Sequence, residues 1–144
     1  MIHEAVVLAG GFGTRLKTVV SDVPKPMAPV AGKPFLHYVL SRLAQSGISR
    51  VVLSVGYLSE QVIQHFGNSY AGMEISYAVE ETPLGTGGGI RLALQKCSSA
   101  HVLVLNGDSW FDFPLKPFYE FHLESSADVS MALRDVDDGA RYGT

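Results

Sequence analysis

A wound α/β fold with a mostly parallel sheet is the architecture this sequence predicts, on three observations. Short runs rich in Val and Leu alternate with longer amphipathic segments. Several runs are apolar at consecutive positions, as strands covered on both faces require. Two Gly-rich connections follow directly after strands, on the edge where open α/β sheets bind ligands. The chain has 144 residues, 47% of them hydrophobic and 17% charged. Those values suit a globular protein with a real core, so residues 1–144 are expected to form one domain.

The first strand is expected at Glu4–Ala9, where Ala5-Val6-Val7-Leu8 is continuously apolar. A helix from Pro34 to Ser46 places Phe35, Leu36, Val39, Leu40 and Leu43 on one stripe, with Pro34 suited to its first turn and Gly47 to its exit. The second strand is Arg50–Val55. Ser59 is placed to cap a second helix carrying Val62, Ile63 and Phe66, closed by Gly67. Then come a strand at Glu74–Val79, a helix from Gly87 to Cys97, a strand at His101–Leu105, a helix from Leu115 to Glu124 and a strand at Asp128–Leu133. The first, second and fourth strands read as covered on both faces. The stretches 10–33 and 82–89 break the alternation, and long connections of this kind are usually functional or disordered. The chain stops at Tyr142-Gly143-Thr144 after a charged stretch, where another strand is expected, so the pattern reads as a domain truncated on its C-terminal side.

The net charge of −3, from 11 basic and 14 acidic residues, gives no electrostatic footprint for nucleic acid or an anionic membrane. Any phosphate binding must come from local chemistry. A single cysteine, Cys97, excludes an internal disulfide and suits a reducing compartment. The N-terminus lacks the pattern of a signal peptide, and the apolar run Ala5–Ala9 is far too short to span a bilayer, so the cytoplasm is expected.

Leu8-Ala9-Gly10-Gly11-Phe12-Gly13-Thr14-Arg15-Leu16 follows the first strand. Glycines let backbone N–H groups approach a phosphate, and consecutive amides form an anion-binding concavity. Thr14 adds a hydroxyl donor and Arg15 a fork matched to phosphate oxygens. The alternative is a Gly-rich turn with a solvated arginine. A dinucleotide fingerprint is excluded because Leu16 stands where a third glycine is needed and no acid ends the second strand at Ser54-Val55-Gly56. A P-loop is excluded because Pro34 follows Gly32-Lys33. In Val23-Pro24-Lys25-Pro26-Met27, prolines on both sides stiffen the backbone at Lys25. Such a lysine can act as a point charge on a transferring phosphoryl group, or simply be wet. Asn106-Gly107-Asp108 closes the fourth strand, where a carboxylate suits a hard metal or an Asx turn. Asp112 is read as capping or solvating the segment that follows. Trp110 and Phe111 are read as core, or else as a wall of a ligand pocket. The five histidines are scattered without metal-ligand spacing.

Together, Gly10 to Leu16, Pro24-Lys25-Pro26-Met27 and Gly32-Lys33-Pro34-Phe35-Leu36 resemble the signature region of sugar-1-phosphate nucleotidylyltransferases. The resemblance covers nearly all of this chain but only part of the family's domain, leaving out the acceptor-sugar part. It implies a three-layer, Rossmann-like fold of the nucleotide-diphospho-sugar transferase type. It also implies that Leu8, Ala9, Gly10, Gly11, Gly13 and Thr14 wrap an incoming triphosphate while Arg15 and Lys25 stabilise charge on its α-phosphate. Glu80-Glu81-Thr82-Pro83-Leu84-Gly85-Thr86-Gly87-Gly88-Gly89 is similar to the run that lines the nucleoside pocket in the guanylyl- and mannose-type branches. Pro83, Gly85, Thr86 and Gly88 would lie against the base. Glu80 could accept hydrogen bonds from guanine N1–H and its amine, favouring guanine by roughly 1–3 kcal/mol if the figure for base readout in DNA grooves carries over. Glu81 is read as solvated.

By the same resemblance Asp108 is the first metal ligand, for Mg²⁺ or alternatively Mn²⁺, and Asn106, Gly107, Tyr142 and Gly143 face the sugar. The implied reaction joins an NTP, expected to be GTP, to a sugar 1-phosphate and releases pyrophosphate. Thr18 and Val19-Val20-Ser21-Asp22 replace the family's usual Pro-Leu-Thr, and the pattern looks most like the D-glycero-D-manno-heptose 1-phosphate guanylyltransferase branch. That branch makes GDP-heptose for bacterial surface polysaccharides. A mannose-1-phosphate guanylyltransferase, another sugar-1-phosphate nucleotidylyltransferase and an inactive nucleotide-binding fragment are the alternatives. Neither nucleic acid nor membrane is an expected partner, and the resemblance admits a homo-oligomer.

Overall fold

The computed structural model describes residues 1–11 and 23–135. The described residues form two compact units, one of residues 2–110 and the other of Met1 with residues 111–135. The first unit holds β1 (Glu4–Leu8), a 3-10 turn (Lys25–Met27), β2 (Pro29–Val30), β3 (Lys33–Pro34), α1 (Phe35–Gln45), β4 (Arg50–Val55), α2 (Ser59–Phe66), β5 (Ser69–Tyr70), β6 (Met73–Val79), α3 (Gly85–Leu94) and β7 (Leu103–Asn106).

The main sheet runs β5-β6-β4-β1-β7. β6, β4, β1 and β7 are parallel and β5 pairs antiparallel with β6. Among the parallel strands the chain steps outward from β1 to β4 to β6, then crosses to the far side of β1 as β7. That reversal opens a crevice beyond the carboxyl ends of β1 and β7, where wound sheets bind ligands. β1 and β4 are central, and their Val and Leu side chains are almost wholly buried. β7 departs from the expectation of cover on both faces: it pairs only with β1 among the described strands, and Val104 is exposed. α3 lays Ala93 against Val6, Val52 and Ala78, with Leu8, Leu92 and Val102 around them. α1 buries Leu36, Val39, Leu40 and Leu43, each contributing roughly 1.5–3 kcal/mol relative to exposure.

At the sheet edge opposite the crevice, Glu4 is buried and fully engaged. Its carboxylate accepts from the Ser98 and Ser99 amides at 3.0 and 2.7 Å and from Arg50 Nη1 at 2.9 Å. Burial pushes its pKa up, but the Ser99 and Ser98 donors and the Arg50 charge outweigh this and hold it below the ordinary value.

Several expectations need correction. β2–β3 and β5–β6 are two-residue hairpins that sequence reasoning missed, with Ala31-Gly32 and Ala71-Gly72 at positive φ. Both turns lack the Asn-Gly or Asp-Gly signature. Ser59 does not cap α2: Leu58, in the left-handed region, takes that position, and Ser59 is the first helical residue. α3 begins earlier than expected, at Gly85, and ends at Leu94. Trp110 is 52% exposed and is not core.

In the second unit, α4 (Leu115–Glu124) has the predicted bounds but no buried residue. Its cap position is taken by Pro114 rather than Asp112. Phe113 packs edge-on against Phe118 and His122 Nδ1 pairs with Ser130 Oγ at 2.8 Å. Phe111 is exposed rather than core. The strand expected at Asp128–Leu133 is not formed. Val129, Met131 and Leu133 show the two-residue period of a strand, but no described strand pairs with it and all three are largely exposed. No described helix is long and apolar enough to cross a membrane.

Candidate active site

The carboxyl ends of β1, β4, β6 and β7 converge on a cleft of about 270 Å³ in the first unit. Its lining comprises Leu8, Gly10, Gly11, Lys25, Pro26, Ser54, Glu80, Pro83, Gly85, Thr86, Asn106 and Asp108. Sequence reasoning singled out all but Pro26 and Ser54. Ser54 carried a usable signal, being a lone hydroxyl in the otherwise apolar run Val51-Val52-Leu53-Ser54-Val55, where a buried polar group demands a partner. The candidates Gly13, Thr14, Arg15, Tyr142 and Gly143 lie outside the described residues.

Three further candidates do not line the cleft. Ala9 is buried and its N–H donates to Ser54 O at 2.7 Å, so that amide is committed to the sheet. Gly107 is also buried, with its N–H donating to Leu8 O at 2.8 Å. A Cβ there would meet Leu8 O at 3.0 Å, so glycine lets β7 close tightly on β1. Gly88 faces Leu84, whose Cβ would lie 2.6 Å from an added methyl.

One end of the cleft is charged. Lys25 opens the 3-10 turn between extended Pro24 and buried Pro26, and the turn is closed by Met27 N–H donating to Pro24 O at 2.7 Å. This fixes the backbone from which the side chain projects. Lys25 Nζ donates to Asp108 Oδ2 at 2.6 Å, joining residues 83 apart in sequence. Both side chains are about one-third exposed (35% and 31%), so the pair is screened and contributes only about 0–1 kcal/mol. The Lys25 ammonium is the cation that Asp108 meets in this structure.

The opposite end is built around Glu80. Its Oε1 accepts from Ser54 Oγ and its Oε2 from the Leu84 amide, both at 3.1 Å. The second bond closes the loop into α3, whose first residue, Gly85, needs its positive φ of +71°. Gly10 is closely packed: a Cβ would lie a tight 3.2 Å from Glu80 Oε1 and from the Gly56 amide nitrogen. Each Glu80 oxygen keeps a second acceptor site. The amino end of α3, with no acid in its first turn, adds a field that favours anions.

Among the described residues no cluster of three or more His, Cys, Asp or Glu could cage a metal. A lone carboxylate such as Asp108 does fit a hard divalent ion that takes its other ligands from phosphates and water.

A wound sheet with its cleft at the switch point, an acid–lysine pair at one end and a glycine-packed carboxylate at the other, defines an α/β domain of the class that receives ligands beyond the carboxyl ends of its strands. The chain belongs to the nucleotidyl transferase family, whose model matches residues 4–144. It is 46% identical over 141 residues to a D-glycero-alpha-D-manno-heptose 1-phosphate guanylyltransferase of Aneurinibacillus thermoaerophilus, covering 98% of this chain and 61% of that protein. A mannose-1-phosphate guanylyltransferase of Mycobacterium tuberculosis is 43% identical, with 97% of this chain and 39% of that protein covered. Among solved structures, HddC from Yersinia pseudotuberculosis, complexed with GMP-PN, superposes with a TM-score of 0.77 at 36% identity. That match covers 85% of this chain and 55% of HddC, and it bears out the expected fold.

Proposed function

We propose that this chain is the nucleotide-binding part of a guanylyltransferase acting on D-glycero-D-manno-heptose 1-phosphate in the cytoplasm. The observation that carries the reading is the cleft itself, with Lys25 and Asp108 at one end and the twice-anchored Glu80 at the other. The names of the relatives support guanine and heptose, and HddC's complex with GMP-PN agrees with the base.

In this reading Glu80 receives guanine N1–H and the exocyclic amine, while Leu8, Gly10, Pro83 and Gly85 line the base and ribose. Gly11 and, by resemblance, Gly13, Thr14 and Arg15 hold the triphosphate. Lys25 carries positive charge to the α-phosphate. When bound, a divalent ion, Mg²⁺ or Mn²⁺, neutralises phosphate charge, and Asp108 would be its protein ligand. A phosphate oxygen of the sugar 1-phosphate attacks the α-phosphorus. The bond from α-phosphorus to the α,β-bridging oxygen breaks, and its electron pair leaves with pyrophosphate. The attacking oxygen is already an anion, so no general base is required. Positioning and charge neutralisation supply the rate.

The test is pyrophosphate release from GTP with heptose 1-phosphate, mannose 1-phosphate and glucose 1-phosphate, using the complete protein. Turnover with the heptose phosphate alone supports the proposal. Preference for mannose 1-phosphate would favour the reading suggested by the mycobacterial relative. Nucleotide binding without turnover on any sugar would overturn the proposal in favour of a nucleotide-binding protein without transferase activity.

A further inference from the structure

Ser54 is wholly buried and, with Glu4, one of the two polar residues in the core of the described chain. It faces Ala78 across the β4–β6 ladder, so the two-residue period of β6 carries Glu80 to the same face of the sheet, one step beyond. There Ser54 Oγ donates to Glu80 Oε1 at 3.1 Å. Above the same oxygen lies Gly89 of α3, also buried. A Cβ on Gly89 would sit 2.7 Å from Glu80 Oε1, closer than real contacts allow, so the carboxylate would have to shift, and a tight 3.1 Å from Ser54 Oγ. The backbone at Gly89 is not in the left-handed region, so its lack of a side chain answers to this contact rather than to conformation. The Leu84 amide fixes the other oxygen at 3.1 Å.

The carboxylate is therefore held by a hydroxyl and an amide, with a gap in the helix that admits it. Two such anchors remove the rotation that a glutamate at a cleft wall otherwise keeps. They leave one acceptor site on each oxygen, the number that a paired N–H and amine would fill.

We infer that Ser54 and Gly89 are positioning residues that set the orientation of Glu80, and through it the selection of a purine carrying both N1–H and a 2-amino group. The inference rests on the proposal that Glu80 reads the base. The GTP/ITP ratio reads recognition of the amine, since ITP keeps N1–H and lacks only the 2-amino group, and comparing Glu80→Gln with the Ser54 and Gly89 variants separates the two claims.

The experiment is equilibrium binding of GTP and of ITP to wild type and to Ser54→Ala, Gly89→Ala and Glu80→Gln, with thermal melts as a folding control. Wild type should prefer GTP by roughly tenfold, the value of one hydrogen bond to a charged acceptor. Ser54→Ala and Gly89→Ala should each pull that ratio toward one, with a larger loss of GTP than of ITP affinity. A merely structural defect would weaken both nucleotides alike. If both variants fold and keep the ratio within about twofold of wild type while Glu80→Gln collapses it, the positioning role is wrong and base reading by Glu80 survives. If Glu80→Gln also leaves the ratio unchanged, or wild type shows no preference, the base reading fails and this inference with it. Should one of the two positioning variants not fold, the other decides.

Discussion

Replacing Lys25 with Met keeps an unbranched side chain as far as Cε and removes the charged ammonium, and the structure sets two very different magnitudes for the result. The Lys25–Asp108 pair spans 2.6 Å, but both side chains are about one-third exposed. Its contribution to stability is therefore about 0–1 kcal/mol, which moves the melting temperature by a few degrees at most. The proposed chemistry asks far more of the same charge. A preorganised donor aimed at charge developing in a transition state supplies about 2.7–4 kcal/mol, or on the order of 10²–10³ in kcat. Lys25→Met should thus melt close to wild type and yet lose at least two orders of magnitude in kcat, measured by pyrophosphate release at saturating GTP and sugar 1-phosphate. The same numbers explain how the ion pair can yield to substrate, since a contact of that strength is easily exchanged for phosphate. A variant that keeps kcat within about threefold of wild type would refute the assignment. So would an activity loss matched by a large drop in melting temperature, which would make Lys25 a structural residue.

Asp108→Asn should raise the Mg²⁺ concentration needed for half-maximal turnover by about tenfold or more, in line with losing the carboxylate proposed to hold the ion. A metal titration of the initial rate checks this, and chelation by EDTA should abolish turnover in both proteins. Glu4→Ala removes the acceptor for the Ser98 and Ser99 amides and for Arg50. It should destabilise the first unit by about 2–4 kcal/mol in urea unfolding, with nucleotide affinity of the folded fraction unchanged. Because the folded pKa of Glu4 lies below its ordinary value, its contribution is complete above that ordinary value and is lost as pH falls through the lowered one. The acid limb of the wild-type unfolding midpoint should flatten in the variant. His37, beside Tyr70 with Nδ1 2.7 Å from the hydroxyl, has its pKa lowered by burial first and then by the charges of Lys33 and His65. The unfolded state therefore binds its proton first as pH falls, and stability should decline from the ordinary histidine value near 6.5 down to the lowered one. His37→Gln should lose less stability than wild type between neutral and mildly acidic pH, and an equal loss would remove His37 as the cause.

The parts of this fold legible in sequence are those fixed by local pattern. Val51 to Val55 announces a covered strand because the run is short and rich in β-branched valine, and Leu36, Val39, Leu40 and Leu43 repeat at a helical period. What stayed hidden depends on contacts between distant segments. Ala31-Gly32 and Ala71-Gly72 make hairpins in which only the second position has a turn residue, and pairing of the flanking strands holds the alanines at positive φ. Leu58 takes the cap position of α2 ahead of the better capper, Ser59. The site divides in the same way. Gly10, Lys25 and Asp108 stand out within short motifs, whereas the link from Ser54 to Glu80 joins strands that sequence alone does not place side by side. Gly107 and Ala9 illustrate the converse. Both belong to conspicuous motifs, yet their amides are used in closing the sheet.

The two carboxylates of the cleft are held in opposite ways, and the difference follows from what each is proposed to bind. Asp108 meets a cation, Lys25, in a partly exposed pair weak enough to exchange. A group that must pass from an ammonium to a metal–phosphate needs such a partner, since a strong buried pair would compete with the ligand. Glu80 is anchored by neutral donors, the Ser54 hydroxyl and the Leu84 amide. A neutral base brings no net charge to displace a bound cation, so a lysine at this end would occupy the acceptor sites and gain nothing from release. Neutral anchors fix direction and leave the negative charge available to strengthen new hydrogen bonds. Glycine at positions 10 and 89 serves the same end, because the carboxylate can be drawn back against the sheet only where no Cβ stands in its way.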